Sequence, residues 1–310
     1  MTRRQDSQSV WIDGRIVPAD EATVSFFCHE IHYGTGVFEG IRCYDTEEGP
    51  AVFRLPEHLE RLRKSAHSYE LEYAHSDADL TQAILDLIRS HGLKECYIRP
   101  VVLLGEGKLA VMPEDNEVMT CIAIWSWGRY LGPEALSRGV TTTIVRKTRK
   151  YPAVCLDPTV KAVGHYLNSV RATREAKARG FDEGIMLNTE GRVAEGPGEN
   201  VFLVKDGVVI TNPVEECILE GVTRASVLEL AQAAGIPTRV EPITVEALMD
   251  ADEVFFSGTA AEVTPIRSID EKVVGSGERG PVTTRLQDDY LAAVHGRLPR
   301  FERWLTRVEA

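Results

Sequence analysis

The 310-residue sequence predicts an α+β chain of two domains. Its length corresponds to roughly two domains at about 100–200 residues each. The first half sets two helix-periodic segments among strand-like runs of antiparallel character, the mark of a small α+β domain. The second half is punctuated by hairpin signals between β-prone runs, with helical segments interspersed. With 43% hydrophobic residues, a chain of this length can bury a core without disulfides or metals.

In chain order, Val10–Ile12, Asp13-Gly14 and Arg15–Val17 form a two-residue hairpin signature, because Asp-Gly suits the type I′ turn. A single strand is expected over Val37–Tyr44. Leu55, Leu59, Leu62, Ala66 and Tyr69 recur at helical spacing, with Pro56 suited to the first turn. Leu80, Ile84, Leu87 and Ile88 mark a second helix that Gly92 closes. Further strands follow at Glu95–Leu104 and Glu117–Trp127. Gly128–Pro133 reads as a Gly/Pro-punctuated connection. The expected division is therefore a small domain at 1–129, a linker at 130–137 and a large domain at 138–310. Beyond it, Asn188–Gly191, Asp206-Gly207 and Asp270–Lys272 read as hairpin turns, and Tyr166–Arg179, Thr223–Ala234 and Val282–His295 as helices. The end, Arg300–Val308, is expected to pack as a helical turn or two through Phe301 and Trp304.

Thirty-five Lys+Arg against 47 Asp+Glu leave a net charge of −12. A dedicated nucleic-acid binder or a protein of anionic membranes would carry the opposite balance. No window reaches the ~18 apolar residues of a membrane span, and no apolar stretch follows Arg3-Arg4. Cys28, Cys43, Cys96, Cys121, Cys155 and Cys217 are scattered without a Cys-x-x-Cys pair, as buried thiols of a reducing cytoplasm would be. Gly275–Gly280 spells G-x-G-x-x-G, but the 30 residues after it read as helix, without the further strand that a dinucleotide fold needs. His29-Glu30-Ile31-His32 misses the i, i+4 spacing that two zinc ligands on a helix need. No metal site and no serine-nucleophile elbow is expected.

Three features of the second half make chemical sense together. Lys161 lies in Pro158–Tyr166 among small or apolar neighbours, where an ammonium is poorly solvated and its pKa falls toward that of a reactive amine. Glu195–Phe202 places two carboxylates in a Gly/Pro turn beside a strand. Leu219–Arg224 leads into a helix with Gly221 and Thr223 at its start, where free amides favour an anion. Ser257–Ala261 offers further amides after a strand. Taken singly, these also read as a surface lysine, a turn network and a capped helix. Lysine, fixed carboxylate and phosphate cradle together are what pyridoxal 5'-phosphate requires of a protein. The run Arg146–Lys150 is expected to form a solvated face.

These residues resemble the branched-chain amino acid aminotransferases, which are pyridoxal-phosphate enzymes of fold type IV (the D-amino acid aminotransferase-like class). The resemblance runs from about Val10 to Trp304 through His32–Arg42, Arg61, Tyr97–Pro100, Lys161–Tyr166, Glu195–Phe202, Leu219–Arg224 and Ser257–Ala261. It implies a small N-terminal α/β domain, a larger C-terminal pseudo-barrel domain and a site between them. It further implies that Lys161 carries the cofactor covalently and moves the proton of the reaction. Glu195 would pair with the pyridine nitrogen and Tyr166 with the ring's phenolate oxygen. Arg61, Gly221, Val222, Thr223 and Thr259 would hold the phosphate.

For the substrate, the resemblance implies an apolar pocket from Tyr33, Phe38, Trp127 and Tyr130, with Gly40 leaving space and Arg42 in the same motif. Tyr97 and the amides near Thr259 and Ala260 would bind the α-carboxylate. Arg99, near Tyr33, would meet the side-chain carboxylate of glutamate. The implied reaction is reversible, ping-pong transfer of the amino group of L-leucine, L-isoleucine or L-valine to 2-oxoglutarate. The implied assembly is a homodimer or a hexamer built as a trimer of dimers. The chain departs from the family pattern at Pro197 and over Gly105–Pro113, in place of a glycine-rich apolar loop that comes from the partner subunit. Same-fold enzymes acting on D-amino acids or (R)-amines, and an aminodeoxychorismate-lyase-like enzyme, remain as alternatives.

Overall fold

The computed structural model describes residues 7–309, except Trp127, Arg129, Tyr130 and Pro133. The chain divides into two compact units. The first comprises residues 7–126, 160–164 and 293–309 of those described, and the second comprises 128–159 and 165–292.

In the first unit, β1 (Ser9–Ile12) and β2 (Arg15–Pro18) form the expected hairpin, with Asp13 and Gly14 both at positive φ (42° and 89°). That is what a type I′ turn requires. The five-residue α1 (His29–Tyr33) follows. The run read as one strand is two, β3 (Gly36–Phe38) and β4 (Ile41–Thr46), broken at Glu39-Gly40. Both pair antiparallel with β6 (Cys96–Leu104), at Val101–Leu103 and Cys96–Ile98 respectively. At the break the Glu39 amide still donates to the Pro100 carbonyl of β6 (2.9 Å), and Gly40 lies where a Cβ would meet the Tyr97 hydroxyl 2.0 Å away. β5 (Gly49–Phe53) and β7 (Val118–Trp125) complete the order around β6.

α2 (Leu55–Ser68) starts with Pro56, and α3 (Asp77–His91) runs from the capping box Ser76/Asp79 to Gly92 at φ 61°. Leu59, Leu62, Leu80, Ile84 and Leu87 point into one core with Ile41, Ile98, Ile122 and Ile124 of the sheet. Apolar residues at helical spacing on two helices thus bury one face of a period-two sheet.

Two stretches remote in sequence return to this unit. Residues 160–164 lie alongside β3, through a bridge between Val37 and Ala162 and a bond from the Val163 amide to the Gly36 carbonyl (2.8 Å). The C-terminal end is helical, as expected, only over its first part. A 3₁₀ segment Pro299–Trp304 gives way to a strand, Leu305–Arg307, paired antiparallel with β5. Trp304 anchors it: its carbonyl accepts from the Arg54 amide at 2.6 Å, and its ring lies 4.9 Å from the Arg54 guanidinium.

The second unit opens with α4 (Ala135–Arg138) and contains β8 (Val140–Arg149), α5 (Tyr166–Ala178), β9 (Glu183–Leu187), β10 (Asn200–Lys205) and β11 (Val208–Thr211). Then come α6 (Val222–Ala233), β12 (Thr238–Val240), α7 (Val245–Met249), β13 (Glu253–Gly258), β14 (Glu262–Ile269), β15 (Lys272–Val273) and α8 (Pro281–Val294), whose last two residues belong to the first unit. The three helices read from the sequence are found within one residue of their expected starts. The sheet order β12-β11-β10-β13-β14-β8-β9 is more mixed than the hairpins announced. β8 pairs parallel with β9 and with β14, and β11 with β12. α5 and α6 supply the crossovers that the β8–β9 and β11–β12 pairs need.

The G-x-G-x-x-G segment does not cradle a ligand. The Glu253 carboxylate fills the start of α8, accepting from the amides of Val282 (3.0 Å) and Thr283 (2.7 Å), and Gly280 has no room for a side chain beside it. Cys155 is exposed, against the expectation of buried thiols, whereas Cys28, Cys43, Cys96 and Cys217 are buried. No helix among the described residues is long and apolar enough to cross a membrane.

Candidate active site

The first unit gathers Lys161, Phe38, Glu39, His58, Arg61, Tyr97 and Arg99 around the β3–β4 break. Lys161 is fixed by its backbone. Its carbonyl accepts from the Phe38 amide (3.0 Å), and its own amide donates to the Ser65 hydroxyl of α2 (3.1 Å). The Nζ lies 4.9 Å from the centre of the Phe38 ring. Some of the side chain's surface stays exposed, yet burial in protein is the main influence on its charge. Burial first, then the nearby Arg61 charge, bring its pKa down to about 8, with Glu39 acting in the opposite sense.

Arg61 forks onto Glu39, with Nε to Oε1 at 2.6 Å and Nη2 to Oε2 at 2.9 Å, and His58 Nδ1 lies 2.7 Å from Oε2. Arg99 sits in an aromatic enclosure, its guanidinium 4.6 Å from the Phe38 ring, 5.3 Å from Tyr97 and 5.9 Å from Trp125. Its Nη2 donates to the Tyr97 hydroxyl at 3.4 Å, and its buried Nε has no partner among the described residues. Such a cation attracts ring faces and retains donors for a carboxylate. Arg42 pairs in register with Tyr97 and lies over Tyr44.

The structure does not bring Tyr33 to Arg99 within this chain. Tyr33 is 46% exposed and stacks on His29 at 4.4 Å. The ring nitrogens of His29 are engaged by Thr35 and the Ala110 carbonyl, both at 2.8 Å. Trp127 and Tyr130 lie outside the described residues. Trp125, two positions earlier, was missed by the sequence reading and packs on Tyr97 at 5.3 Å.

In the second unit, buried Glu195 receives three donors: Lys150 Nζ at 2.7 Å, Asn200 Nδ2 at 3.0 Å and the Leu219 amide at 3.0 Å. The Arg146–Lys150 run is therefore not all solvated face: Lys150 is only 7% exposed and pairs with this carboxylate. Pro197 lies buried in the turn that the Gly196 amide closes onto the Glu199 carbonyl (2.7 Å). Asn200 also donates to the Leu219 carbonyl (2.8 Å), and its Oδ1 fills the space where Gly221 would carry a Cβ. Gly221 starts α6 with no side-chain cap, followed by buried Val222 and Thr223. Thr259 and Ala260 occupy the tight β13–β14 turn, next to a buried Ser257 hydroxyl with no partner among the described residues. Tyr166 is the first residue of α5.

Residues 36–269 match the amino-transferase class IV family. The chain is 42% identical over 300 residues to the branched-chain-amino-acid aminotransferase of Pseudomonas aeruginosa, covering 97% of both chains. This chain belongs to the branched-chain-amino-acid aminotransferase family. The aminotransferase is also similar to the crystal structure of the Escherichia coli enzyme of that name, with TM-score 0.96, 41% identity, and coverage of 98% of this chain and 100% of that one. A second similar structure is the branched-chain amino acid aminotransferase of Thermobaculum terrenum in its PLP-form, with TM-score 0.92, 33% identity, and coverage of 99% and 100%.

Each unit of the aminotransferase carries groups that fit pyridoxal 5'-phosphate. The first has a desolvated amine and the half-buried Arg61. The second has a buried carboxylate, an uncapped helix start and the unpartnered Ser257 hydroxyl. The lowered pKa of Lys161 has a measurable consequence. Only the neutral amine attacks an aldehyde, and the ammonium form persists below about 8. In cofactor-depleted protein, pyridoxal trapped on Lys161 with borohydride and mapped by mass spectrometry should rise with pH around a midpoint near 8. A midpoint at the ordinary value of 10.5 would contradict it.

Proposed function

We propose that this aminotransferase transfers the amino group of L-leucine, L-isoleucine or L-valine to 2-oxoglutarate, reversibly and by a ping-pong route, with pyridoxal 5'-phosphate as cofactor. One observation carries the substrate reading: Arg99 enclosed by Phe38, Tyr97 and Trp125. A pocket that accepts both leucine and glutamate must offer apolar surface and still satisfy a carboxylate. A guanidinium covered by rings and tied to the Tyr97 hydroxyl avoids standing as an isolated buried charge when the substrate is apolar.

The bound cofactor supplies an aldehyde for the amino group and a conjugated ring that takes up the electron pair released at the substrate Cα. Lys161 would hold the cofactor and serve as base and acid for the proton at the substrate Cα; an amine with a pKa near 8 suits both directions. Glu195 keeps the pyridine nitrogen protonated, and its three donors hold the carboxylate in place. Tyr166 donates to the ring's phenolate oxygen. Arg61, the Val222 and Thr223 amides and Thr259 bind the phosphate, with Gly221 allowing close backbone approach. Tyr97 and the amides of Thr259 and Ala260 bind the α-carboxylate, and Arg99 the side-chain carboxylate of glutamate. Phe38 walls the apolar pocket, with Gly40 and Arg42 in the segment that lines it.

The assembly is a homodimer, alone or as the unit of a trimer of dimers, in a reducing cytoplasm. Exposed Phe26, Phe27, Val111 and Met112, at 61–89% of their full accessibility, support association, since apolar surface of this kind marks contact sites. Single-turnover spectroscopy of the holoenzyme tests the substrate reading. L-leucine should convert it to the pyridoxamine form and 2-oxoglutarate should restore it. A faster half-reaction with D-alanine or (R)-1-phenylethylamine than with L-leucine would overturn the substrate assignment and leave the cofactor chemistry standing.

A further inference from the structure

Glu39 contributes a full negative charge at a site with no exposed surface. A carboxylate there is tolerated only when paired, and the structure satisfies it from four directions. Arg61 supplies two bonds at 2.6 and 2.9 Å, His58 Nδ1 lies at 2.7 Å, and the Gly40 amide at 3.2 Å. The carboxylate is anchored at the strand break, where the Glu39 amide donates to the Pro100 carbonyl at 2.9 Å. His58 and Arg61 are three residues apart on α2 and so share one face. The fork uses Nε and Nη2 and fixes the guanidinium plane, as a bidentate pair does.

We propose that Glu39 is a positioning residue that orients Arg61 for the cofactor's phosphate, with His58 holding Glu39 in turn. This rests on the reading of Arg61 as a phosphate ligand. Burial keeps His58 neutral, so Glu39 retains its charge for Arg61 rather than sharing it with an imidazolium. The Glu39–Arg61 pair is then close to neutral as a unit. Arg61 acts on a phosphate through directed donors held in place, and less through unbalanced positive charge. Without Glu39 the guanidinium would keep its charge and lose its aim.

The test compares pyridoxal 5'-phosphate with pyridoxal, which lacks only the phosphate, by absorbance titration of holoenzyme dialysed free of cofactor. Glu39→Gln should weaken pyridoxal 5'-phosphate by about 10- to 100-fold and pyridoxal by less than about threefold, the scale of losing a group that orients a ligand. His58→Leu should shift the same ratio in the same direction. His58→Asn, whose amide can donate from near the Nδ1 position, should bring it back to within about threefold of the parent. These two variants keep both residues of the Glu39–Arg61 fork and decide the matter if Glu39→Gln folds poorly. Equal weakening of both ligands in Glu39→Gln and His58→Leu, or no weakening in either variant, would overturn the proposal. Arg61→Ala runs in parallel: a ratio unchanged in that variant would remove the phosphate reading of Arg61 itself, a failure distinct from that of Glu39 alone.

Discussion

Replacing Lys161 by alanine should abolish turnover of L-leucine with 2-oxoglutarate, lowering kcat by more than about 10⁴-fold, since both the covalent anchor and the proton carrier are lost. The yellow chromophore of the reconstituted parent should also be absent from the variant. Loss of activity would not come from unfolding. The backbone hydrogen bonds of residue 161, with Phe38 and Ser65, are kept by alanine. Removing a poorly solvated ammonium also relieves a cost of burial. Steady-state kinetics, a visible spectrum and a thermal melt on the same preparation check each part. A variant that keeps kcat within tenfold of the parent would remove Lys161 from the chemistry.

The second large effect is expected at Glu195. Glu195→Gln keeps the shape of the side chain and removes its charge, so the pyridine nitrogen would no longer be held protonated. A fall in kcat of about 10²- to 10³-fold is expected, the usual loss when a preorganised electrostatic partner is removed. The three donors around Glu195 sharpen the test. They are arranged for an acceptor-only group, and a glutamine amide must turn one N–H₂ toward them. Glu195→Asp retains the charge and shortens the reach, and should lose less than glutamine does. Stopped-flow measurement of the leucine half-reaction separates this from binding. Equal half-reaction rates for parent and Glu195→Gln would exclude the role.

Much of the fold was legible because short-range rules decide it. The Asp13-Gly14 hairpin, Pro56 at the head of α2 and Gly92 at the end of α3 are local signals, and each is found where local chemistry puts it. The β3–β4 break was not legible. Val37, Phe38, Ile41, Cys43 and Tyr44 make the run read as one strand, and the break at Glu39-Gly40 falls where the Tyr97 hydroxyl takes up space and His58 and Arg61 hold the Glu39 carboxylate. The parallel pairs of the second sheet were missed for a related reason: pairing across a helix leaves no turn signature in the chain. The C-terminal strand reads as a helical turn until its partner, β5, is known.

Lys161, Glu195 and the Gly221–Thr223 helix start could be singled out from sequence because each sits in a segment whose composition is chemically informative, whereas Arg61 was pointed to by the family resemblance alone. Lys150 could not. It closes a run of basic residues that reads as solvated, and only the fold lays it against Glu195. His58 and Trp125 carried no signal of their own, since one lies in an ordinary amphipathic helix and the other in a strand.

The sequence by itself determined the candidate reactive groups, most helices and hairpins, and the family, because these depend on residue type and on spacing within about a dozen positions. Tertiary structure alone decided the partnerships: Glu39 with His58 and Arg61, Lys150 with Glu195, and Arg99 with its three rings. The physical reason is range. A buried charge or an aromatic enclosure depends on side chains brought within a few ångströms by strand register and helix packing, whatever their separation along the chain.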